Sequence, residues 1–553
     1  MNDEYRRVDI FITHHLLWGF NQMNRLSRPA TGVVVAALAL LVALGAVGFA
    51  PAALAEDKAR VRAERAVRDG DFEVAEKLFR ELLAKDPRDT SARLGLSRAL
   101  LKQRKHLEAY DHAARVVARD PLSARGHALL GSALLGSGDF HLSVEEFRTA
   151  LSLKDDEALA IAGLAMVDFY ENRLSQSLSG LRRAAFIDSS EPDYVYNLGQ
   201  VAARSERYSE AANAYEKFLR IAPKTDADRR ARIRGLIDFL RYLGTQNNLL
   251  SVGGPENVTL PFDLVNNRPI IKVRVNGSKE TLRFVIDTGA GMCVLSTQAA
   301  ERVGLRSVAR GGMARAVGGE GRFEIVYGFL QSLQVGEAKV ERVPVYIRPF
   351  YNDQEPVDGY IGLSVLGKYM TIIDYGAHKM TLLRDEEAKR VATTAAAANS
   401  FEVPIRTTSS GFWSGEVSFD GLEKPANFII DTGASISVVS EVLAARAGLD
   451  RFAQSGRIRV YGAAGLAENI QTILLPHVAL GSYSWQNVYA AVLDMEPINE
   501  TAGFEQTGIV GGNLLRRYRV TFDFVRGIIR LEPVAGTTPD DQKSKPAIIT
   551  SQS

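Results

Sequence analysis

With 553 residues, the chain is too long for one core of ordinary size, and its length sets an expectation of roughly three or four domains. Hydrophobic residues make up 46% and charged residues 24%, the balance of a globular protein, and 67 basic against 65 acidic residues leave a net charge of +2. With no basic block or basic-aromatic stripe, this argues against a nucleic-acid partner, and a lone cysteine, Cys293, excludes internal disulfides and cysteine-based zinc sites.

Residues 1–29 read as a cytoplasmic segment or the n-region of an export signal. Residues 30–55 carry no charge, and Arg25 and Arg28 stand just before them. An apolar run of this length is expected to act either as a transmembrane anchor over 30–50 or as a signal peptide cut after "ALA", Ala53 to Ala55. Both readings place the rest of the chain outside the cytoplasm, in a bacterial periplasm or cell envelope, with membrane contact only through this segment.

Residues 56–247 read as helices with a fixed period. Steps of 34 lead from Phe72 through His106, Phe140 and Leu174 to Tyr208. The same step joins the small residues Ala75, Ala109, Ser143, Ser177 and Ala211, and the helix-ending positions Pro87, Pro121, Asp155, Ser189 and Pro223. The pattern resembles a tetratricopeptide (TPR) array of about five repeats, in which small residues let paired helices pack closely. "DADRRARIRGLIDFLRYLG" would close the array, its polar face covering an open end. The resemblance implies a concave surface for a protein partner, with an oligomerisation or spacer module as the plainer reading.

After a Gly-, Asn- and Pro-containing connection, short apolar runs between turn signals mark β-rich chain, and it is written twice. Asp287 and Asp431, in "VIDTGA" and "IIDTGA", stand 144 apart. So do Gly277 and Gly421 in the preceding hairpin turns, Gly304 and Gly448 ending the following short helices, and Gly318 and Gly462 in "VGGEGRF" and "YGAAGLA". The step then lengthens to 149 and links "YIG", with Ile361 and Gly362, to "IVGGNLL", with Val510 and Gly511. The expected boundaries are 258–385 and 400–533 for the two copies, 386–399 for a linker and 534–553 for a disordered tail.

These phrases resemble the two lobes of a retropepsin-like aspartic protease. The expected fold class is multidomain: an all-α TPR solenoid followed by two β-rich lobes, closed or nearly closed β-barrels. The resemblance implies an aspartic endopeptidase acting on a peptide or protein substrate, without cofactor or metal, with Asp287 and Asp431 as a catalytic dyad. Two carboxyls held about 3 Å apart cannot both ionise, so one serves as base toward water and the other as acid toward the peptide carbonyl. Gly289 and Gly433 keep Cβ atoms out of the dyad's way. By resemblance, Thr288 and Thr432 bond across the lobe interface, Ile361–Gly362 and Val510–Gly511 pack on the aspartate loops, and Gly318, Gly319, Gly462 and Gly465 belong to flaps. Ala290 and Ala434 stand where pepsin-like enzymes usually carry a hydroxyl. Without it the dyad should hold its proton more readily, which predicts an activity optimum nearer neutral than strongly acidic.

Asp374 and Asp523, a second repeated pair, read as turn or strand-end residues, because no glycine-containing loop accompanies them. Cys293 has no histidine nearby in sequence and reads as a buried small residue. Other arrangements stay open at this point: an inactive scaffold, a homodimer in which each lobe pairs with its twin, or a TPR adaptor. If the enzyme reading holds, the isolated β-region should retain proteolysis.

Overall fold

The computed structural model describes residues 57–319, 321–351, 356–395, 402–534 and 549–550. The expected signal or anchor lies outside the described residues, as does most of the expected tail. No helix among the described residues is long and apolar enough to cross a membrane. The chain divides between Arg62 and Ala63, and the unit that begins at Ala63 holds both the helical repeats and the β-rich region.

The 34-residue step becomes a helix start at every repeat. Helices Phe72–Lys85, His106–Val117, Phe140–Leu153, Leu174–Ile187 and Tyr208–Ile221 alternate with Thr90–Lys102, Ala124–Gly136, Ala158–Tyr170 and Pro192–Arg204. Ala75, Ala109, Ser143, Ser177 and Ala211 are all fully buried, because this is where each helix pair comes closest. Asp89, Ser123 and Asp139 cap helix starts by accepting a backbone N–H, which satisfies one of the donors a first turn leaves open. Arg98 and Lys102 reach Glu191 at 2.6 and 2.7 Å, tying Thr90–Lys102 to the start of Pro192–Arg204.

The closing helix, Ala227–Gly244, departs from its expected role as a polar lid. It buries Ile233, Ile237, Phe239, Leu240 and Leu243 and lies against the strand Ser307–Arg315 of the first lobe. Its apolar residues face two neighbours, the array and the lobe, which a single-face reading of the helix did not anticipate.

In each lobe six strands pair in a closed ring. The first runs through Arg268–Val275, Leu282–Ile286, Gly359–Ile361, Cys293–Ser296, Ala338–Arg348 and Arg322–Val335, and back to its start. The second repeats this order with Trp413–Phe419, Ala426–Ile430, Gly508–Val510, Ser437–Ser440, Tyr483–Leu493 and Gly465–Leu480. Asn276 and Gly277 both have positive φ, +52° and +71°, the geometry that lets a two-residue hairpin follow the strand twist.

A six-stranded sheet joins the lobes, three strands from each. Asn257–Pro261, Lys379–Leu383 and Met370–Asp374 meet Tyr518–Asp523, Ile528–Pro533 and Glu402–Thr407, with Thr371 opposite Phe522 at the seam. Asp374 and Asp523 end seam strands, and each accepts a backbone N–H three residues on, from Ala377 and Arg526.

Two stretches differ from the sequence expectation. The connection ahead of residue 258 already holds strands, Ser251–Gly253 and the start of Asn257–Pro261, paired into the first ring and the shared sheet. The segment expected as a linker forms a helix, Asp385–Ala395, whose Ala388, Val391 and Ala392 pack on Met370, Ile372 and Leu383. Of the expected tail, Ile549 and Thr550 pair in parallel with Val460 and Tyr461.

Candidate active site

Each Asp-Thr-Gly loop leaves the end of a buried strand, Leu282–Ile286 in one lobe and Ala426–Ile430 in the other, and the two loops meet across the interface. The threonines fasten them. Thr288 Oγ1 donates to the Ile430 carbonyl and Thr432 Oγ1 to the Ile286 carbonyl, both at 2.7 Å. Each hydroxyl also accepts the other threonine's backbone N–H at 3.1 Å. Both hydroxyls and both threonine N–H groups of this buried cross-link are thereby used, which holds the loops with little freedom.

Within this frame Asp287 and Asp431 are brought together, each carboxyl against the opposite loop's glycine, and they are only 2% and 1% exposed. Gly289 N donates to Asp287 Oδ1 at 2.8 Å, and Gly433 N and Ala434 N donate to Asp431 Oδ1 at 2.7 and 3.1 Å. The glycines are required by space. A Cβ on Gly289 would stand 2.4 Å from the Asp431 carboxyl carbon, and one on Gly433 would stand 2.6 Å from that of Asp287.

Burial raises both carboxyls above the ordinary range, and for Asp287 the charge of Asp431 adds to it, while the backbone N–H groups oppose the shift. The pair therefore titrates as one system that holds a shared proton above the pH at which free carboxylates lose theirs.

Ile361–Gly362 and Val510–Gly511 support the loops from within each lobe. Asp287 N donates to the Ile361 carbonyl and Asp431 N to the Val510 carbonyl, while the Ala290 and Ala434 carbonyls accept from Leu363 and Gly512. A Cβ on Gly362 would meet the Ala290 carbonyl oxygen at 2.6 Å, so only glycine lets this strand end approach the loop. Ala434 is fully buried and Ala290 nearly so. Cys293 is also fully buried, and burial pushes its thiol up to about 11, which leaves it a poor nucleophile.

Two long hairpins, one from each lobe, meet at their tips. The first joins Ser307–Arg315 to Arg322–Val335, and the second joins Ala453–Gly462 to Gly465–Leu480. Their tips hold each other: Gly319 N donates to the Leu466 carbonyl at 3.0 Å and Ala464 N to the Val317 carbonyl at 3.1 Å. Gly318, Gly319, Gly462 and Gly465 all lie at this junction, and a Cβ on Gly318 would come within 1.9 Å of the Gly465 carbonyl oxygen.

Sequence reasoning missed Arg348. It is buried at the end of Ala338–Arg348, lies over the Phe323 and Phe350 rings, and donates to the Ala463 carbonyl of the other lobe's hairpin at 3.1 Å. Its charge also lowers the Asp287 pKa. In the ring register Arg348 lies beside Ser296 where the second lobe has Leu493 beside Ser440. The available signal was an arginine closing the apolar run "VPVYIR".

A family model described as "Aspartyl protease" matches residues 271–365 and 415–514, and tetratricopeptide-repeat models match 66–133, 124–157 and 192–225. Over 155 residues the chain is 20% identical to BBSome complex member BBS4 of Bos taurus, covering 28% of this chain and 30% of that protein. Among solved structures, TTC0263, a thermophilic TPR protein of Thermus thermophilus, is 22% identical with a TM-score of 0.29, over 33% of this chain and 98% of that one. Pseudomonas aeruginosa pilF is 15% identical with a TM-score of 0.26, over 34% and 86%. The chain thus combines a tetratricopeptide-repeat array with an aspartyl-protease-like region whose sequence match falls in two segments, one in each lobe.

Proposed function

We propose that this protein is an aspartic endopeptidase in which one chain supplies the whole dyad. The observation that carries the reading is the meeting of Asp287 and Asp431, each carboxyl set against the opposite loop's glycine, at an interface where both lobes belong to the same chain. With one proton shared, the ionised carboxyl takes a proton from water as its oxygen attacks the peptide carbonyl, and the protonated carboxyl gives its proton to the carbonyl oxygen. The tetrahedral intermediate collapses as its C–N bond breaks. One hydroxyl proton returns to a carboxylate, the nitrogen takes the other carboxyl's proton, and the dyad is again singly protonated.

The test is cleavage of an unstructured protein by the purified chain across pH. The reading expects an optimum between mildly acidic and neutral pH, because burial holds the shared proton above the ordinary carboxylate range. An optimum below about 3 would contradict it.

The array is assigned the recruitment of a protein partner or substrate, the common use of such repeats. Its intra-repeat turns are taken up by the lobes: Asp139 pairs with Lys424 and Glu206 with Lys368. A recruited protein would meet the remaining faces, and chemical cross-linking of the full chain to a captured substrate checks this. Cross-links confined to the β-lobes would remove the assignment.

A further inference from the structure

The two flaps correspond in sequence, yet their surroundings differ. The outer strand of the first flap, Ser307–Arg315, carries an irregularity between Arg310 and Met313, and the closing helix of the array is seated there. Gly235 of that helix lies so close that a Cβ would stand 2.1 Å from the Arg310 carbonyl oxygen and 2.4 Å from Gly311 Cα. Arg232 donates to the Met313 carbonyl at 3.1 Å and to Glu500 of the second lobe at 2.6 Å, pinning flap and lobe to one side chain. Further along, Phe239 stacks on Tyr327 with ring centres 4.3 Å apart, and Tyr242 meets Phe329 edge-on at 5.3 Å. Asp228 pairs with Arg322 at 3.2 Å, next to the tip.

Among the described residues no helix is seated on the second flap. A Cβ on Gly312 would meet Ala231 of the helix at 3.2 Å, whereas its counterpart 144 residues on, Gly456, has nothing within 4 Å of the same position. Ala453 to Arg457 are exposed throughout. Tyr327, opposite Tyr346 in the first ring, is replaced in the second by Thr472 opposite Ala491, so the aromatic patch that holds the helix is missing there. The edge of Ala453–Gly462 meets Ile549 and Thr550, a two-residue strand.

We propose that the array makes the first flap a fixed wall and leaves the second flap as the gate through which substrate reaches the dyad. To open, the second flap must break the Gly319–Leu466 and Ala464–Val317 bonds and the bond from Arg348 to the Ala463 carbonyl, and must carry or release the two-residue strand Ile549–Thr550. To open the first flap, the apolar and aromatic contacts of the closing helix must also separate, which is far more costly than the tip bonds alone. A change in the position of the closing helix would release the wall, so the array's end sets which flap moves. The inference takes its meaning as a gate from the protease reading, but the motion it describes is measurable without turnover.

The experiment is amide hydrogen exchange by mass spectrometry on the full chain, comparing residues 307–329 with 453–473. The expected result is exchange in the second flap at least about tenfold faster than in the first. Equal protection, or faster exchange in the first flap, overturns the proposal. In Gly235→Val, which wedges the helix from the strand, first-flap exchange should rise to the level of the second while the second stays unchanged. Arg232→Ala should raise it part of the way, and it carries the test alone if Gly235→Val fails to melt cooperatively. A folded variant whose first flap stays fully protected overturns the proposal. Peptide hydrolysis is assayed separately: an inert chain with asymmetric exchange upholds the hinge and sinks the protease reading, whereas an active chain with symmetric exchange does the reverse.

Discussion

In the proposed reading Asp287 and Asp431 share one proton, and the residues around them decide how tightly they hold it. Burial raises both, and Arg348 acts against the rise on Asp287. Replacing Arg348 with Met should move the acidic limb of the pH–rate profile upward, by about half to one pH unit, while Arg348→Lys keeps most of the charge and should stay near the parent. A limb that does not move in Arg348→Met would show that the arginine acts only on the flap. The same pair affects stability. Its proton affinity is higher folded than unfolded, so its contribution is full below the ordinary carboxylate range and is lost as pH rises toward the raised value. Asp431→Asn removes one of the two competing charges. Its melting temperature should exceed the parent's at neutral pH, and the gap should close toward a pH of about 4, where unfolded carboxyls also take up protons.

At the scale of elements, the seam between the lobes holds the dyad's two halves in register. Phe522 is fully buried in that sheet and lies opposite Thr371 of the first lobe. Phe522→Ala should cost about 3–5 kcal/mol in denaturant unfolding, as a large cavity in a well-packed sheet does. A loss below about 1 kcal/mol would mean that the seam can repack. The elements differ in how plainly the sequence announced them. The array was legible because every repeat must bury one small residue at the same helix contact, and that demand recurs at Ala75, Ala109, Ser143, Ser177 and Ala211. The loops were legible for a similar reason: a Cβ at Gly289 or Gly433 would displace the opposite carboxyl, so the motif admits little change. By contrast, Asp385–Ala395 hid its few contact residues, Ala388, Val391 and Ala392, in a charged and threonine-rich stretch whose composition reads as linker. Arg348 escaped notice because the first lobe uses an arginine where the second has Leu493, and the doubled pattern directs attention to what the copies share.

At the scale of the whole molecule, the array and the lobes are built onto one another. Phe504 of the second lobe packs edge-on against Phe140 and Tyr170 of the array, at 4.9 and 5.0 Å between ring centres. Arg406 lies over the Phe140 ring at 4.3 Å. Tyr327 and Phe329 of the first lobe lie under the closing helix. These contacts revise the expectation that the β-region would serve alone, since residues 251–534 without the array would expose three aromatic side chains at two separate places. That fragment should melt at least about 5 °C below the full chain and scatter light on heating, whereas an unchanged melting temperature would make the array a mere attachment.

The most direct test of a dyad shared within one chain is cleavage of an unstructured protein, across pH, by the parent and by Asp287→Asn and Asp431→Asn singly. A single intramolecular dyad predicts that either change lowers hydrolysis by at least about a thousandfold while both variants keep cooperative melting transitions. Substantial activity left in either variant would contradict it, because one lobe would then be working without the other.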